Sequence, residues 1–302
     1  MNSTATRSLP RPRFHGLSPV VAGCWRMAGW GMDVDARIRW IEGCLELGVT
    51  SFDHADIYGD YAVEGLFGEA LARAPGLRQR LQLVSKCGIR LVSPARPGHR
   101  IKSYDTSAAH IVASVDHSLH ALRTDHLDLL LIHRPDPLLD VAEVAGAFER
   151  LQRAGKVLRF GVSNFSPAQF ELLDSAVELV TQQVELSPLA RAVLHDGTLD
   201  QCQQLGVQPM LWSPLAGGRV LKGEGEDGQR VRVELDRIGA ELGESAASVA
   251  YAWGLRHPSR PLAITGSQRL EGIAEAVAAT RLQLSREAWH ALWTAGAGMR
   301  VP

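Results

Sequence analysis

The chain has 302 residues, 45% of them hydrophobic and 22% charged, the proportions of an ordinary soluble globular protein with room for one large domain or two smaller ones. A formal net charge of -1, with no long basic run, argues against a nucleic-acid or anionic-membrane surface as the main partner. The strongest apolar run, "LDLLLI" at 127–132, is too short to cross a bilayer.

In chain order, short apolar runs alternate with amphipathic stretches. "SPVVAGCW" (18–25) precedes "DARIRWIEGCLELG" (35–48), and "GVTSFD" (48–53) precedes "AVEGLFGEALARA" (62–74). "LQLVSK" (81–86), "LDLLLIH" (127–133), "VLRFGVSNF" (157–165) and "VTQQVEL" (180–186) each lead into a helical stretch. "VQPMLWSP" (207–214) runs through a glycine-rich loop to "QRVRVELDRIGAELG" (229–243), and "PLAITGS" (261–267) precedes "RLEGIAEAVAAT" (269–280). Ile111, Val115, Leu119 and Leu122 fall on one helical stripe. The strand candidates are continuously apolar, as in a parallel sheet covered on both faces. Eight strand–helix units predict a (β/α)8 barrel, a TIM barrel, occupying 1–302 as one domain. A doubly wound sheet is the rival, but "VVAGCWRMAGWG" lacks the G-x-G-x-x-G turn it would need.

In such a barrel the active site lies at the C-terminal ends of the strands. Polar residues that end the apolar runs are therefore the candidates. Asp53, Lys86 and His133 end three successive runs, and Tyr58 follows Asp53 by five residues in "FDHADIYG". Each alone has a plain structural explanation, but three together on one mouth point to a site. An ammonium beside a phenol is expected to lower the phenol pKa, and a carboxylate keeps the ammonium charged. Tyr58 so placed would act as an acid toward a carbonyl oxygen while a hydride reaches carbon, which implies a nicotinamide cofactor. On barrel chemistry alone, Lys86 as a Schiff-base lysine remains open.

The motifs "FDHADIYG", "LVSKCGI", "SLHALRTDHLDLLLIHRPDP", "GKVLRFGVSNF", "QQVELSP", "LWSPLAGG" and "ITGS" resemble, in order and spacing, those of the aldo-keto reductase superfamily, particularly its bacterial oxidoreductase branch. The resemblance implies a TIM barrel with extra helices and a short N-terminal hairpin, and NAD(P)H-dependent reduction of aldehydes or ketones. Asp53, Tyr58, Lys86 and His133 match the family's catalytic tetrad, with His133 orienting the carbonyl of a small-molecule substrate. Ser163, Asn164 and Gln183 match residues that bind the nicotinamide carboxamide, and Trp212 falls where an aromatic ring stacks on it. Ser213, Leu215 and Gly217 match the pyrophosphate loop, and Gly23 and Trp25 the first strand's cofactor contacts. Trp25, Arg26, Trp30, Tyr58 and His133 are expected to shape the substrate pocket. NADP is the expected cofactor, with NAD as the alternative, because the usual basic positions read Gly266 and Gly272. Ser267, Gln268 and Arg269 are the nearest groups for a 2'-phosphate. Some members of the superfamily serve as redox-sensing subunits with little turnover, which is the competing reading.

Other residues are set aside. His54 should face away from Asp53 along the strand, Asp56 and Asp60 should cap or solvate a loop, and Cys87 should be packed. Cys24, Cys44, Cys87 and Cys202 make no C-x-x-C pair, which reads as buried thiols in a reducing compartment. With no apolar segment after the basic N-terminus, a cytoplasmic location is expected. The segment 222–229, "KGEGEDGQ", is expected to be a mobile loop.

Overall fold

The computed structural model describes residues 12–301. Its strands are β1 (Val20–Gly23), β2 (Ser51–Asp53), β3 (Gln82–Cys87), β4 (Ile89–Arg90), β5 (Ser103–Tyr104), β6 (Leu129–Ile132), β7 (Phe160–Ser163), β8 (Gln182–Glu185), β9 (Met210–Trp212) and β10 (Leu262–Thr265). Eight close a parallel barrel in the order β1-β10-β9-β8-β7-β6-β3-β2, while β4 and β5 pair as a small antiparallel ribbon beyond β3. Helix α1 (Val34–Glu46) follows β1, and α2 (Tyr58–Tyr61) and α3 (Val63–Arg73) follow β2. Then come α4 (Ala108–Leu122), α5 (Val141–Arg153), α6 (Pro167–Asp174) and α7 (Thr198–Leu205) after the ribbon, β6, β7 and β8. The β9 connection carries α8 (Arg219–Lys222), α9 (Gly225–Leu242) and α10 (Ala246–Leu255), and α11 (Leu270–Ala279) and α12 (Arg286–Ala297) follow β10. The eight-unit barrel with additional helices is thus present. The expected N-terminal hairpin falls largely on residues outside those described, and residues 12–19 form no strand.

Continuous apolar strands make sense because each faces two cores. Val21, Val84, Leu129, Leu131, Met210, Leu262 and Ile264 fill the barrel interior. Their neighbours Val20, Phe52, Leu83, Leu130, Val162 and Leu211 pack outward against the helices. Side chains alternate along a strand, so the inward series runs upward from Val84 to Lys86, from Leu131 to His133 and from Met210 to Trp212. Parallel pairing holds these ends level, with Gly23 opposite Asp53, Lys86 opposite Leu131, and Ser163 opposite Gln183. The polar ends of the inward series therefore meet at one mouth.

Phe14 and Leu17 pack against the interior cluster from the other end. Arg13 holds that segment in place, bonding Asp174 at 2.5 and 3.1 Å and the carbonyls of Leu179 and Leu205 at 3.0 and 3.2 Å. Six helices begin on side-chain caps, from Asp33, Ser107, Asp140, Ser166, Ser245 and Ser285. Each cap satisfies a first-turn N–H that would otherwise lack a partner.

Segment 222–229 differs from expectation. It ends α8 and begins α9, with a short break at Gly223 and Glu224; Gly223 and Gly225 take positive φ. Arg219 reaches Asp227 at 2.8 and 3.1 Å and ties the two helices together, so this stretch is structured.

Candidate active site

Lys86 is fully buried, and its ammonium uses all three of its donors. It donates to Asp53 Oδ2 at 2.7 Å, to the His54 carbonyl at 2.7 Å and to the Tyr58 hydroxyl at 2.9 Å. The local chain explains how Tyr58 reaches it. After β2 the backbone turns sharply, with Gly59, Asp60 and Tyr61 consecutively in the left-handed region at φ 57, 59 and 69. Such a run is rare for non-glycine residues and needs support from its surroundings. The turn brings the Tyr58 ring back over the mouth, 4.8 Å from the Lys86 ammonium and 5.9 Å, edge-on, from His133.

Because the Tyr58 oxygen accepts from Lys86, its own proton is free to donate into the mouth. The expected lowering of the Tyr58 pKa is not what the structure gives. Burial raises it and outweighs the opposing pull of Lys86, so the phenol is held protonated above its ordinary value. Burial also works against a charged Lys86, but Asp53 and Tyr58 overcome it and raise the lysine pKa. Burial, with Lys86 and Arg134 adding to it, drives His133 well below the usual histidine range. His133 is therefore neutral at pH 7; its Nδ1 is sealed without a partner, whereas its Nε2 is not among the sealed atoms.

A second hydrogen-bonded chain adjoins this one. Trp212 Nε1 donates to Asn164 Oδ1 at 3.2 Å, and Asn164 Nδ2 donates to Ser163 Oγ at 2.7 Å. Gln183 Nε2 donates to Asp53 Oδ1 at 2.9 Å, a link between strands β8 and β2 that spacing alone does not reveal. Asn164, Ser213, Ala216, Gly217 and Gly218 all take positive φ. Such turns aim backbone N–H groups together and suit an anion. Leu215 is half-buried against the core beside them.

The remaining predicted residues fall around the rim. A β-carbon on Gly23 would lie 2.9 Å from Ile264, so the strand end fits only glycine closely. Trp25 is 60% exposed, with the Arg26 guanidinium 5.3 Å above its ring. Arg26 also reaches within 3.9 Å of the β-carbon position of Gly217, bridging the first and seventh barrel loops. Trp30 packs edge-on against Trp40 at 5.0 Å, anchored to α1. Gly266, Gln268 and Arg269 are exposed. Ser267 Oγ accepts from the Arg269 backbone N–H at 3.0 Å, and a β-carbon on Gly272 would meet that oxygen at 2.5 Å.

His54 turns outward, as alternation predicts, against Phe67 at 4.5 Å. Asp56 does not solvate a loop. It is buried, one carboxyl oxygen lacks a partner, and burial with the nearby Glu64 raises its pKa well above the carboxylate range. Arg134 and Glu185 also reach the mouth and were not among the predicted residues. The available signal was position: Arg134 directly follows His133, and Glu185 sits two residues past Gln183.

The sequence pattern that describes the "Aldo/keto reductase family" matches residues 19–295. The chain is 50% identical over 294 residues to "Oxidoreductase YdhF" of Escherichia coli, covering 96% of this chain and 97% of that one. It is 44% identical over 288 residues to a "6-dehydroglucose reductase" of Agrobacterium fabrum, covering 94% and 96%. Among solved structures, an aldo/keto reductase from Klebsiella pneumoniae in complex with NADP and acetate aligns with a TM-score of 0.75 at 28% identity, over 91% of this chain and 90% of that one. No helix among the described residues is long and apolar enough to cross a membrane.

Proposed function

The chain belongs to the aldo/keto reductase family, and we propose that it is an NADPH-dependent reductase of small aldehydes or ketones, with Tyr58 as the general acid. The observation that carries this reading is the ammonium of Lys86 bonded at once to Asp53, the His54 carbonyl and Tyr58. Asp53 keeps Lys86 charged, Lys86 fixes the Tyr58 oxygen, and neutral His133 offers a hydrogen bond to the substrate carbonyl. A bound nicotinamide would supply the hydride. As negative charge builds on the carbonyl oxygen, Tyr58 transfers its proton there. A phenol above its usual pKa is still far more acidic than an alcohol, so the transfer runs downhill. The resulting phenolate is stabilised by Lys86, one hydrogen bond away.

The residues present fit the cofactor's parts. Ser163 and Asn164 offer amide-binding groups, Trp212 an aromatic face, and the positive-φ loop from Ser213 to Gly218 a cradle for phosphates. Arg269 at the start of α11 is the cation assigned to a 2'-phosphate, in keeping with the NADP bound by the Klebsiella relative. The Agrobacterium relative's named substrate is a sugar, so hydroxylated aldehydes enter the substrate screen beside simple aromatic ones.

Tyr58→Phe tests the reading. Removing a general acid lowers kcat by about 10²- to 10⁴-fold, while NADPH binding, followed by protein fluorescence, stays within about twofold of the parent. Full activity in Tyr58→Phe would overturn the assignment of the acid. Absence of any carbonyl turnover in the parent, with NADPH bound, would favour a redox-sensing subunit instead.

A further inference from the structure

We propose that Arg134 selects carbonyl substrates that carry an oxyanion such as a carboxylate; this rests on the reductase reading above and names the substrate class of that site. Arg134 leaves the end of β6 immediately after His133. Its guanidinium lies 5.7 Å from the centre of the Trp212 ring, so it spans the mouth from β6 to β9. Stacking on an aromatic face fixes the plane of the guanidinium while leaving its N–H groups free to point away from the ring.

The charge arrangement around it is unbalanced. Asp53 is already committed to Lys86 and Gln183. Arg90 is paired with Asp105 at 3.5 Å. Arg134 and Lys102 form no ion pair among the described residues, and Glu185, partly buried at the end of β8, is the acidic group whose charge Arg134 influences. Lys102 is exposed, next to Ser103 of the ribbon that leaves β3 at the same end of the barrel. Arg134 follows His133 directly at the end of β6, and the charges of both cations add to the lowering of the His133 pKa. An arginine set over the Trp212 ring and without an ion pair, beside a carbonyl-binding histidine, suits two-point recognition of a carboxylate.

The test compares 4-formylbenzoate with its methyl ester, which share the reacting aldehyde and differ in charge. Steady-state kcat/KM is measured at saturating NADPH for the parent, Arg134→Gln and Arg134→Lys. In Arg134→Gln, kcat/KM for 4-formylbenzoate falls at least about tenfold, mainly through KM, while the ester changes by no more than about twofold. Arg134→Lys keeps an intermediate preference because the charge remains. The parent's preference for the carboxylate shrinks as salt rises from about 50 mM to about 500 mM. Equal losses for both substrates would mean that Arg134 only supports Trp212, and no loss for either would mean that it does nothing at this step; both overturn the proposal. If the parent reduces both compounds and Arg134 has no charge-dependent effect, the proposal falls and the reductase reading stands. If the parent reduces neither compound with NADPH bound, the carboxylate proposal falls, while the reductase reading falls only if the wider carbonyl screen also shows no turnover.

Discussion

A charged lysine with no exposed surface survives only when every one of its protons has an acceptor, and Lys86 meets that condition through three elements of the barrel. Just behind it, on the outer face of β3, stands a group that fares less well. Glu64 of α3 is fully buried, bonded to Ser85 at 2.6 Å, and burial pushes its pKa up to about 7. An acid whose folded pKa lies above its unfolded value binds more protons in the folded state between the two. Stability therefore falls as pH rises from about 4.5 to about 7, then levels off. The shift corresponds to about 3 kcal/mol between the protonation states. Glu64→Gln, which keeps a hydrogen-bonding shape and removes the titration, should flatten that part of the profile. Urea unfolding of both proteins at pH 5 and pH 8 measures it, and an unchanged difference between the two pH values would rule Glu64 out as the source. At this scale the mouth residues were legible because Asp53, Lys86 and His133 each end an apolar run and Tyr58 follows Asp53 by five positions. The sign of the Tyr58 shift was not, since spacing shows the neighbouring lysine but not the depth of burial. Asp56 was misread for the same reason: its loop composition suggests solvent, while the tight turn after it folds the carboxyl inward.

Helices α3 and α4 show what element-level packing demands. A β-carbon on Gly68 would stand 1.9 Å from the Ala121 carbonyl oxygen, so the two helices approach too closely for any other residue. Gly65, three residues earlier on α3, has nothing within 4 Å of the same position. The two glycines should respond with opposite signs. Gly68→Ala should cost about 1–3 kcal/mol through overpacking, whereas Gly65→Ala should gain up to about 1 kcal/mol from helix propensity. Thermal unfolding of the two variants checks this, and destabilisation of equal size in both would show that the helix contact is not the cause. The caps and stripes of most helices could be read in advance, since serine or aspartate precedes them and the apolar spacing is regular. Helix α10 could not. Its residues from Ala247 to Gly254 are all buried, so no polar face marks its period. The acidic, glycine-rich segment that joins α8 to the first turn of α9 read as a loop because its order comes from Arg219 and Asp227, a contact between side chains eight positions apart.

Taken as a whole, the barrel separates its two ends. The chemistry-bearing residues gather where the strands finish, and the opposite end is closed by Phe14 and Leu17 beneath the interior cluster. Arg13 is the fastener of that plug, because one guanidinium joins the segment to the end of α6, to the chain after it and to the end of α7. Its partners are mostly buried, and Asp174 also accepts from the Leu179 backbone N–H at 3.0 Å. Arg13→Met keeps much of the apolar stem but leaves Asp174 and two carbonyls short of a donor. Losing charge-assisted bonds of this kind costs about 1.5–3 kcal/mol. The mouth lies at the other end of the interior cluster, so the strand ends keep their register and the Lys86 network its bonds. Arg13→Met should therefore unfold at lower urea with NADPH affinity and kcat near those of the parent at 25 °C. In barrels, binding and catalysis sit at the C-terminal face, while the N-terminal face governs stability. A variant that kept its stability and lost turnover would contradict that division here, and would place the effect of Arg13 at the mouth through the barrel interior.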